Sequence, residues 1–216
     1  MKHDFSRTHS YLILFFVQWH DKINEAFDLL KNQVRIIGGK WRGRKLPFPD
    51  TLHLRPTGDR IRETLFNWLT PILQQAVCLD LFAGSGALGF EALSRGAKTV
   101  FFIDQSPTVI DQLRMSAHKL QTDSAQFFGD TALHFLQKSR VTFDVIFLDP
   151  PFQENLIDDC LRLIHARQLL NINGMIYIEE PKARTLSLPN SEWIIKRAKQ
   201  AGKVNYYLIE NTGQDA

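Results

Sequence analysis

Cysteine is scarce in this chain. Cys78 and Cys160 are the only two in 216 residues. Two cysteines cannot build a disulfide framework, and no CxxC pair suggests a metal knot, so a reducing, cytoplasmic setting fits. Cys78 lies inside an apolar run and reads as a small buried hydrophobe. The seven histidines are scattered, and none falls at an HxxxH-type spacing with an acid, so no metal is expected. Long apolar runs are missing too. Tyr11–Val17 has seven apolar residues, against the ~20 a membrane helix needs. Lys2 and Arg7 precede that run as in a signal peptide, but the bulky Gln18-Trp19-His20 follows where small residues would mark a cleavage site. Internal repeats and low-complexity tracts are absent, which points to a single domain with an appendage.

What is there is an ordinary globular composition, 44% hydrophobic and 23% charged, enough for one sizeable domain with an appendage. The net charge of +3 hides an uneven distribution. Residues 34–70 hold eight Lys/Arg against three acids, and 182–203 hold six against one. Residues 71–181 between them hold eight against thirteen. Basic flanks around an acidic middle suit a small-molecule site bordered by surfaces for a polyanion.

Residues 1–33 differ from the rest and read as an N-terminal extension. Ile23, Ala26, Phe27 and Leu30 recur there at helical spacing, and Val34 is a candidate true start. Residues 34–70 form a second segment. Its first part, Val34–Leu46, interleaves apolar and basic residues around three glycines and predicts a short hairpin. Lys40, Arg42, Arg44 and Lys45 with Trp41, and Arg60 further on, would offer charge for phosphates and a ring for an unstacked base. A helix is expected next, capped by Thr57 or Asp59, striped by Ile61, Leu65 and Trp68, and ended by Pro71.

From Val77 the pattern alternates. Strands are predicted at Val77–Leu81, Thr99–Ile103, Ala125–Phe128, Phe143–Leu148 and Gly174–Glu179. Helices are predicted at Gly86–Ser94, Pro107–Leu120, Thr131–Lys138 and Glu154–His165. Near-continuous apolar strands alternating with helices predict a parallel α/β sheet covered on both faces. Trp193–Arg197 and Val204–Ile209 then read as an antiparallel hairpin closing that sheet. Residues 71–216 are the third and main segment.

Ligands of such sheets bind beyond the carboxyl ends of the strands. After the first strand comes Asp80-Leu81-Phe82-Ala83-Gly84-Ser85-Gly86-Ala87-Leu88-Gly89, a glycine loop opening a helix. Asp104 follows the second strand, 18 residues past Gly86, placed to accept ribose hydroxyls. Gly129-Asp130 follows the third, placed to meet an adenine amine. Asp149-Pro150-Pro151-Phe152 follows the fourth. Two prolines fix a rigid turn there, which carries a carboxylate, carbonyls and an aromatic ring, a kit for gripping a flat base with an amino group. A dinucleotide dehydrogenase would share the first two features. Its loop would carry small residues where Phe82 stands, and it has no use for an Asp-Pro-Pro-Phe turn.

Asp80–Gly86 with Asp149–Phe152 resembles the class I S-adenosylmethionine-dependent methyltransferases that act on exocyclic amines. Arg35–Leu46 and Arg55–Leu69 narrow the likeness: from about Val34 to near Ile209 the chain resembles the RsmD family of bacterial 16S rRNA guanine-N2 methyltransferases. That resemblance implies a Rossmann-like sheet of seven strands with a terminal antiparallel hairpin. It also implies S-adenosylmethionine as cofactor and one guanine of 16S rRNA in an assembling 30S subunit as substrate; a monomer is expected. It assigns Gly84, Ser85 and Gly86, backed by Asp80, to the methionine moiety, Asp104 to the ribose and Asp130 to the adenine. Arg55, Thr57 and Arg60 would fold over the cofactor. Asp149, Pro150 and Phe152 would grip the base. Two rivals stay open. A DNA adenine or cytosine amine methyltransferase uses the same turn but ordinarily carries a further recognition domain. A non-catalytic RNA-binding module would not need the intact glycine loop or Asp149.

Overall fold

The apolar runs become strands wherever both faces can be covered. The computed structural model describes residues 32–48, 58–151, 156–184 and 186–213. Two short strands open the described chain, β1 (Gln33–Arg35) and β2 (Lys45–Pro47), paired antiparallel around a 3-10 turn at Gly39–Trp41. Helix α1 (Asp59–Leu73) follows. The alternating region then runs β3 (Val77–Asp80), α2 (Ala87–Ser94), β4 (Thr99–Asp104), α3 (Pro107–Leu120), β5 (Ala125–Gly129), α4 (Ala132–Lys138), β6 (Phe143–Leu148) and α5 (Ile157–Ala166). The chain closes with β7 (Leu170–Pro181), β8 (Trp193–Ala201) and β9 (Val204–Asn211).

Strands β3 to β9 form one seven-stranded sheet in the order β5-β4-β3-β6-β7-β9-β8. The first five in that order run parallel, while β9 pairs antiparallel with β7 and β8 antiparallel with β9. Strand order reverses between β3 and β6, which opens a crevice at their carboxyl ends. The expected α/β architecture with its terminal hairpin is therefore observed.

Alternation along each strand splits the core in two. Cys78, Phe102, Phe147 and Tyr177 face one side, where the β1–β2 hairpin, α1, α2 and α3 cover them. Leu79, Ile103, Ile146 and Ile178 face the other, under α4 and α5. On the first side Phe66 of α1 packs its ring against Phe147, centroids 5.9 Å apart. Truncating such a buried ring to Ala costs about 3–5 kcal/mol.

Four expectations change. Pro71 does not end α1, which continues to Leu73. A proline in a last turn disturbs only one ladder bond, and burial of Leu69 and Leu73 holds the turn against the core. The helix cap is Gly58, without a side-chain bond, and Asp59 is the first helical residue; Thr57 lies outside the described residues. Strand β7 starts at Leu170, four residues before the expected Gly174. Its early part is Leu170-Asn171-Ile172-Asn173, with Asn173 at φ 62°, so polar residues and a local irregularity mask it in the sequence. The expected boundary at residue 70 falls inside α1, whose apolar face shares the core of the sheet.

Candidate active site

A chain of backbone hydrogen bonds draws the strand ends into one site. Leu81, opening the glycine loop after β3, donates its N–H to the Phe147 carbonyl at 3.2 Å, two residues before Asp149. Ala83 donates to Ile103 at 2.9 Å, one residue before Asp104. Asp130 donates to the Asp104 carbonyl at 3.1 Å. The loop and the ends of β4, β5 and β6 are thus tied together across the switch point.

Within the loop, Gly84 (φ 48°) and Gly86 (φ 73°) are left-handed, the conformation that Cβ disfavours. Gly86 caps α2. A Cβ on Gly86 would also strike Phe90 and Leu113 at 2.6–2.7 Å. Gly84 donates its N–H to Asp104 Oδ2 at 3.0 Å, and Ser106 donates to Oδ1 at 2.9 Å. A carboxylate has about four acceptor sites, so Asp104 retains capacity for hydroxyl donors. Burial pushes its acid up, opposed by the two backbone bonds.

Asp80 ends β3 and is buried. Gly89 of α2 donates its N–H to Asp80 Oδ2 at 2.9 Å. Burial pushes this carboxyl up to about 8, and the nearby Asp104 charge adds to the rise, while the Gly89 bond opposes it. Ser85, further along the same loop, is nearly buried.

Asp130 is braced by the helix it precedes. His134 Nδ1 lies 2.6 Å from Oδ2 and 2.8 Å from Oδ1, and Thr131 donates its N–H to Oδ1 at 2.8 Å. Asp149 follows β6 half-buried, Pro150 is buried and Pro151 exposed. Phe152, Arg55 and Thr57 lie outside the described residues. On the far side of the turn, Arg184 reaches Asp158 in the first turn of α5 at 2.5 Å and Glu180 of β7 at 3.2 Å, clamping α5 to the sheet.

The hairpin docks on α2 through groups the sequence reading missed. Glu91 is fully buried and accepts from Ile37 N–H at 2.8 Å and Arg95 Nε at 2.7 Å. The buried Arg62 of α1 lies 3.7 Å from Glu91, bonds Asp59 at 2.6 Å and donates to the Arg35 carbonyl at 2.8 Å. Ser94 Oγ donates to Gly38 O at 2.5 Å and accepts from Trp41 N–H at 2.9 Å. Gly38 and Gly39 are there for close approach: a Cβ on Gly39 would lie 1.9 Å from the Ser94 carbonyl.

Lys40, Arg42, Arg44, Lys45 and Arg60 are exposed, as a polyanion surface needs. Trp41 is not. Its side chain is 7% exposed and belongs to the core on the side of the sheet that α1, α2 and α3 cover, so the expected base-stacking ring is a structural anchor. Lys40 Nζ sits over the ring, 4.3 Å from its centroid, so one face of the indole is already taken by a cation. Lys196, Arg197 and Lys199 of the second basic stretch lie along the exposed edge strand β8. Among the described residues no helix is long and apolar enough to cross a membrane, and no cluster of His, Cys, Asp and Glu could hold a metal ion.

The family model described as "Conserved hypothetical protein 95" matches residues 34–210. The chain belongs to this family. It is 46% identical over 185 residues to the ribosomal RNA small subunit methyltransferase D of Haemophilus influenzae, covering 84% of this chain and 95% of the relative. It is 43% identical over 182 residues to the enzyme of the same name from Escherichia coli, covering 84% and 92%. A solved structure titled as a putative methyltransferase, yhhF from Escherichia coli, superposes with a TM-score of 0.79 at 42% identity, covering 85% of this chain and all of that one. The family supports the expected resemblance, the enzyme class and the class I methyltransferase fold.

Proposed function

We propose that this chain transfers a methyl group from S-adenosylmethionine to the exocyclic N2 amine of one guanine in 16S rRNA. The observation that carries the reading is the backbone ladder that joins the glycine loop, Asp104 and Asp130 to the strand end bearing Asp149. The small-subunit rRNA methyltransferases of 43–46% identity supply the substrate class.

The residues fit the cofactor. Acids stand in a row at the strand ends to meet hydroxyls, an amine and a positive sulfonium, and left-handed glycines leave the backbone bare. In this reading Gly84, Ser85 and Gly86, backed by Asp80, hold the methionine moiety. Asp104 accepts from the ribose and Asp130 borders the adenine, with Arg55, Thr57 and Arg60 covering them. Once bound, S-adenosylmethionine supplies a methyl group already activated on sulfur.

Everything else is positioning. The guanine amine is a weak nucleophile because its lone pair is delocalised into the ring. Asp149 and the Pro150 carbonyl accept its two N–H bonds, drawing the nitrogen toward tetrahedral geometry and freeing the lone pair. Asp149 then stabilises the positive charge that grows on nitrogen, and the proton leaves to solvent afterwards. Phe152 stacks the base, worth about 1–3 kcal/mol. A base is splayed out most readily from a loop or bulge. The exposed Lys40, Arg42, Arg44, Lys45 and Arg60 track the RNA backbone. The substrate in this reading is an assembling 30S subunit in the cytoplasm, met by a monomer.

The test is transfer of tritiated methyl to undermethylated 30S subunits, naked 16S rRNA and DNA, followed by mass mapping of the modified nucleotide. Label on a guanine N2 amine of the rRNA is expected. Label in DNA alone would overturn the proposal.

A further inference from the structure

A turn that grips an amine does not by itself distinguish guanine from adenine or cytosine, all of which carry one. A further carboxylate stands beside that turn. Strands β6 and β7 are parallel neighbours with Phe147 opposite Tyr177 and Leu148 opposite Ile178. That register, continued one step past its last pair, would bring Asp149 opposite Glu179. Phe147 and Tyr177 share the core face under α1, and side chains two residues apart share a face, so the two acids point to the same side.

The surroundings of Tyr177 agree. Its hydroxyl donates to Glu179 Oε2 at 3.0 Å. Burial first, then the charges of Glu179 and Asp149, hold this phenol protonated well above its ordinary range, so it remains a donor. Glu179 bonds the phenol directly, and Asp149 is near enough for its charge to act on the same group. Glu179 is 7% exposed and fixed between neighbours, with its own strand position paired to Tyr206 of β9. Burying a carboxylate at this depth is unfavourable, and an apolar side chain of similar size would pack there more easily. The position asks for a reason, and the bases provide one.

On guanine's Watson–Crick edge the N2 amine has a second donor next to it, N1–H. On adenine and cytosine the ring nitrogen next to the amine is an acceptor. We infer that Glu179 is the specificity-determining residue of the base pocket, its carboxylate accepting the guanine N1–H while Asp149 and Pro150 hold the amine. Tyr177 occupies one oxygen and orients the group, and a carboxylate has about four acceptor sites in all. An adenine or cytosine seated the same way would set a lone pair against a negative charge. Buried sites discriminate strongly when a polar group is left without its partner. The inference rests on the guanine-amine reading above.

The experiment uses 2-aminopurine, which keeps the 2-amine but presents an acceptor at N1. Once the modified guanine is mapped, small subunits are assembled with synthetic rRNA carrying guanine or 2-aminopurine at that position. Methyl transfer is then measured for the wild-type chain and for Glu179→Gln. The wild type should favour guanine by about 10- to 100-fold, the range for one charge-assisted hydrogen bond. Glu179→Gln should lower the guanine rate and narrow the ratio, because an amide can turn its donor toward the N1 acceptor. Binding of S-adenosylhomocysteine should stay within about twofold, which separates a specificity effect from a folding defect. Equal wild-type rates on the two bases would overturn the inference even if the variant failed to fold. So would an unchanged ratio in Glu179→Gln, or an equal loss on both bases. If the wild type marks no guanine amine at all, the base reading itself fails, a different result from any of these.

Discussion

Glu91 of α2 accepts the Ile37 N–H at 2.8 Å, joining residues 54 positions apart. The same carboxylate takes Arg95 on its other oxygen and has the buried Arg62 within 3.7 Å. One fully buried acid thus ties the basic hairpin and α1 to the helix that grows out of the glycine loop. Removing one partner of a buried charge network is costly because the other charges stay buried, typically about 3–5 kcal/mol. Glu91→Ala should lower unfolding stability by that order in urea. An Arg62→Leu, Glu91→Leu double variant should lose less than the two single changes added together. Simple additivity would show that the pair does not act as a unit.

Gly89 sits inside α2, where glycine is ordinarily a liability of about 1 kcal/mol against alanine. Here a Cβ would lie 2.2 Å from the Phe102 ring and 3.0 Å from Asp80 Oδ2. The clash outweighs the helix propensity. Gly89→Ala should destabilise by about 1–3 kcal/mol and weaken S-adenosylhomocysteine binding, since Asp80 and the loop must shift. Thermal unfolding and calorimetric titration would register both; a stabilised variant would contradict the packing.

The buried Asp80 makes stability depend on pH. Its carboxyl lies at about 8 in the folded chain against an ordinary 3.8. Between roughly those values the folded chain keeps a proton that the unfolded chain has released. Stability contributed by the neutral acid is fully present below about pH 4, falls as pH rises, and is lost above about 8. Asp80→Asn should flatten this decline while keeping an acceptor for the Gly89 N–H. Asp104 and Glu180 are raised for the same main reason, burial, so a residual slope should remain. Denaturant midpoints across the neutral range test this, and a variant with the same slope as the parent would refute it.

Much of this could be read before the fold was seen, and the reasons are physical. Strands covered on both faces must be apolar throughout, so Phe143–Leu148 and Thr99–Asp104 announce themselves. The site residues after them follow from topology, because parallel sheets collect their loops at one end. What stayed hidden was the burial of charge. Arg62, Glu91 and Glu179 look like ordinary surface residues in sequence, and only long-range packing reveals that they lie inside. His134 was findable: four residues beyond Asp130 on a helix, it had to lie one turn above that carboxylate.

Asp149 separates chemistry from binding. In the proposed reading it touches the base amine and not the cofactor. Asp149→Ala should abolish methyl transfer into 30S subunits while S-adenosylhomocysteine still binds with nearly parental affinity. Loss of cofactor binding would show that Asp149 belongs to the other half of the site.

Trp41 and the arginines around it divide two roles that the sequence had merged. The ring is part of the core, while Arg42, Arg44 and Lys45 are exposed. Neutralising those three to Gln should leave unfolding stability nearly unchanged, since exposed charges contribute little. It should weaken RNA binding and lower the slope of log affinity against log salt by about 2–3, close to one for each phosphate no longer neutralised. Arg44 also reaches the Lys119 carbonyl at 3.4 Å, so its share should be the smallest of the three. Trp41→Ala should do the reverse, costing about 3–5 kcal/mol of stability with the salt slope of the folded fraction intact. Filter binding over a series of salt concentrations, alongside urea unfolding, compares both variants. A salt slope unchanged by the triple variant would exclude the hairpin as the RNA contact.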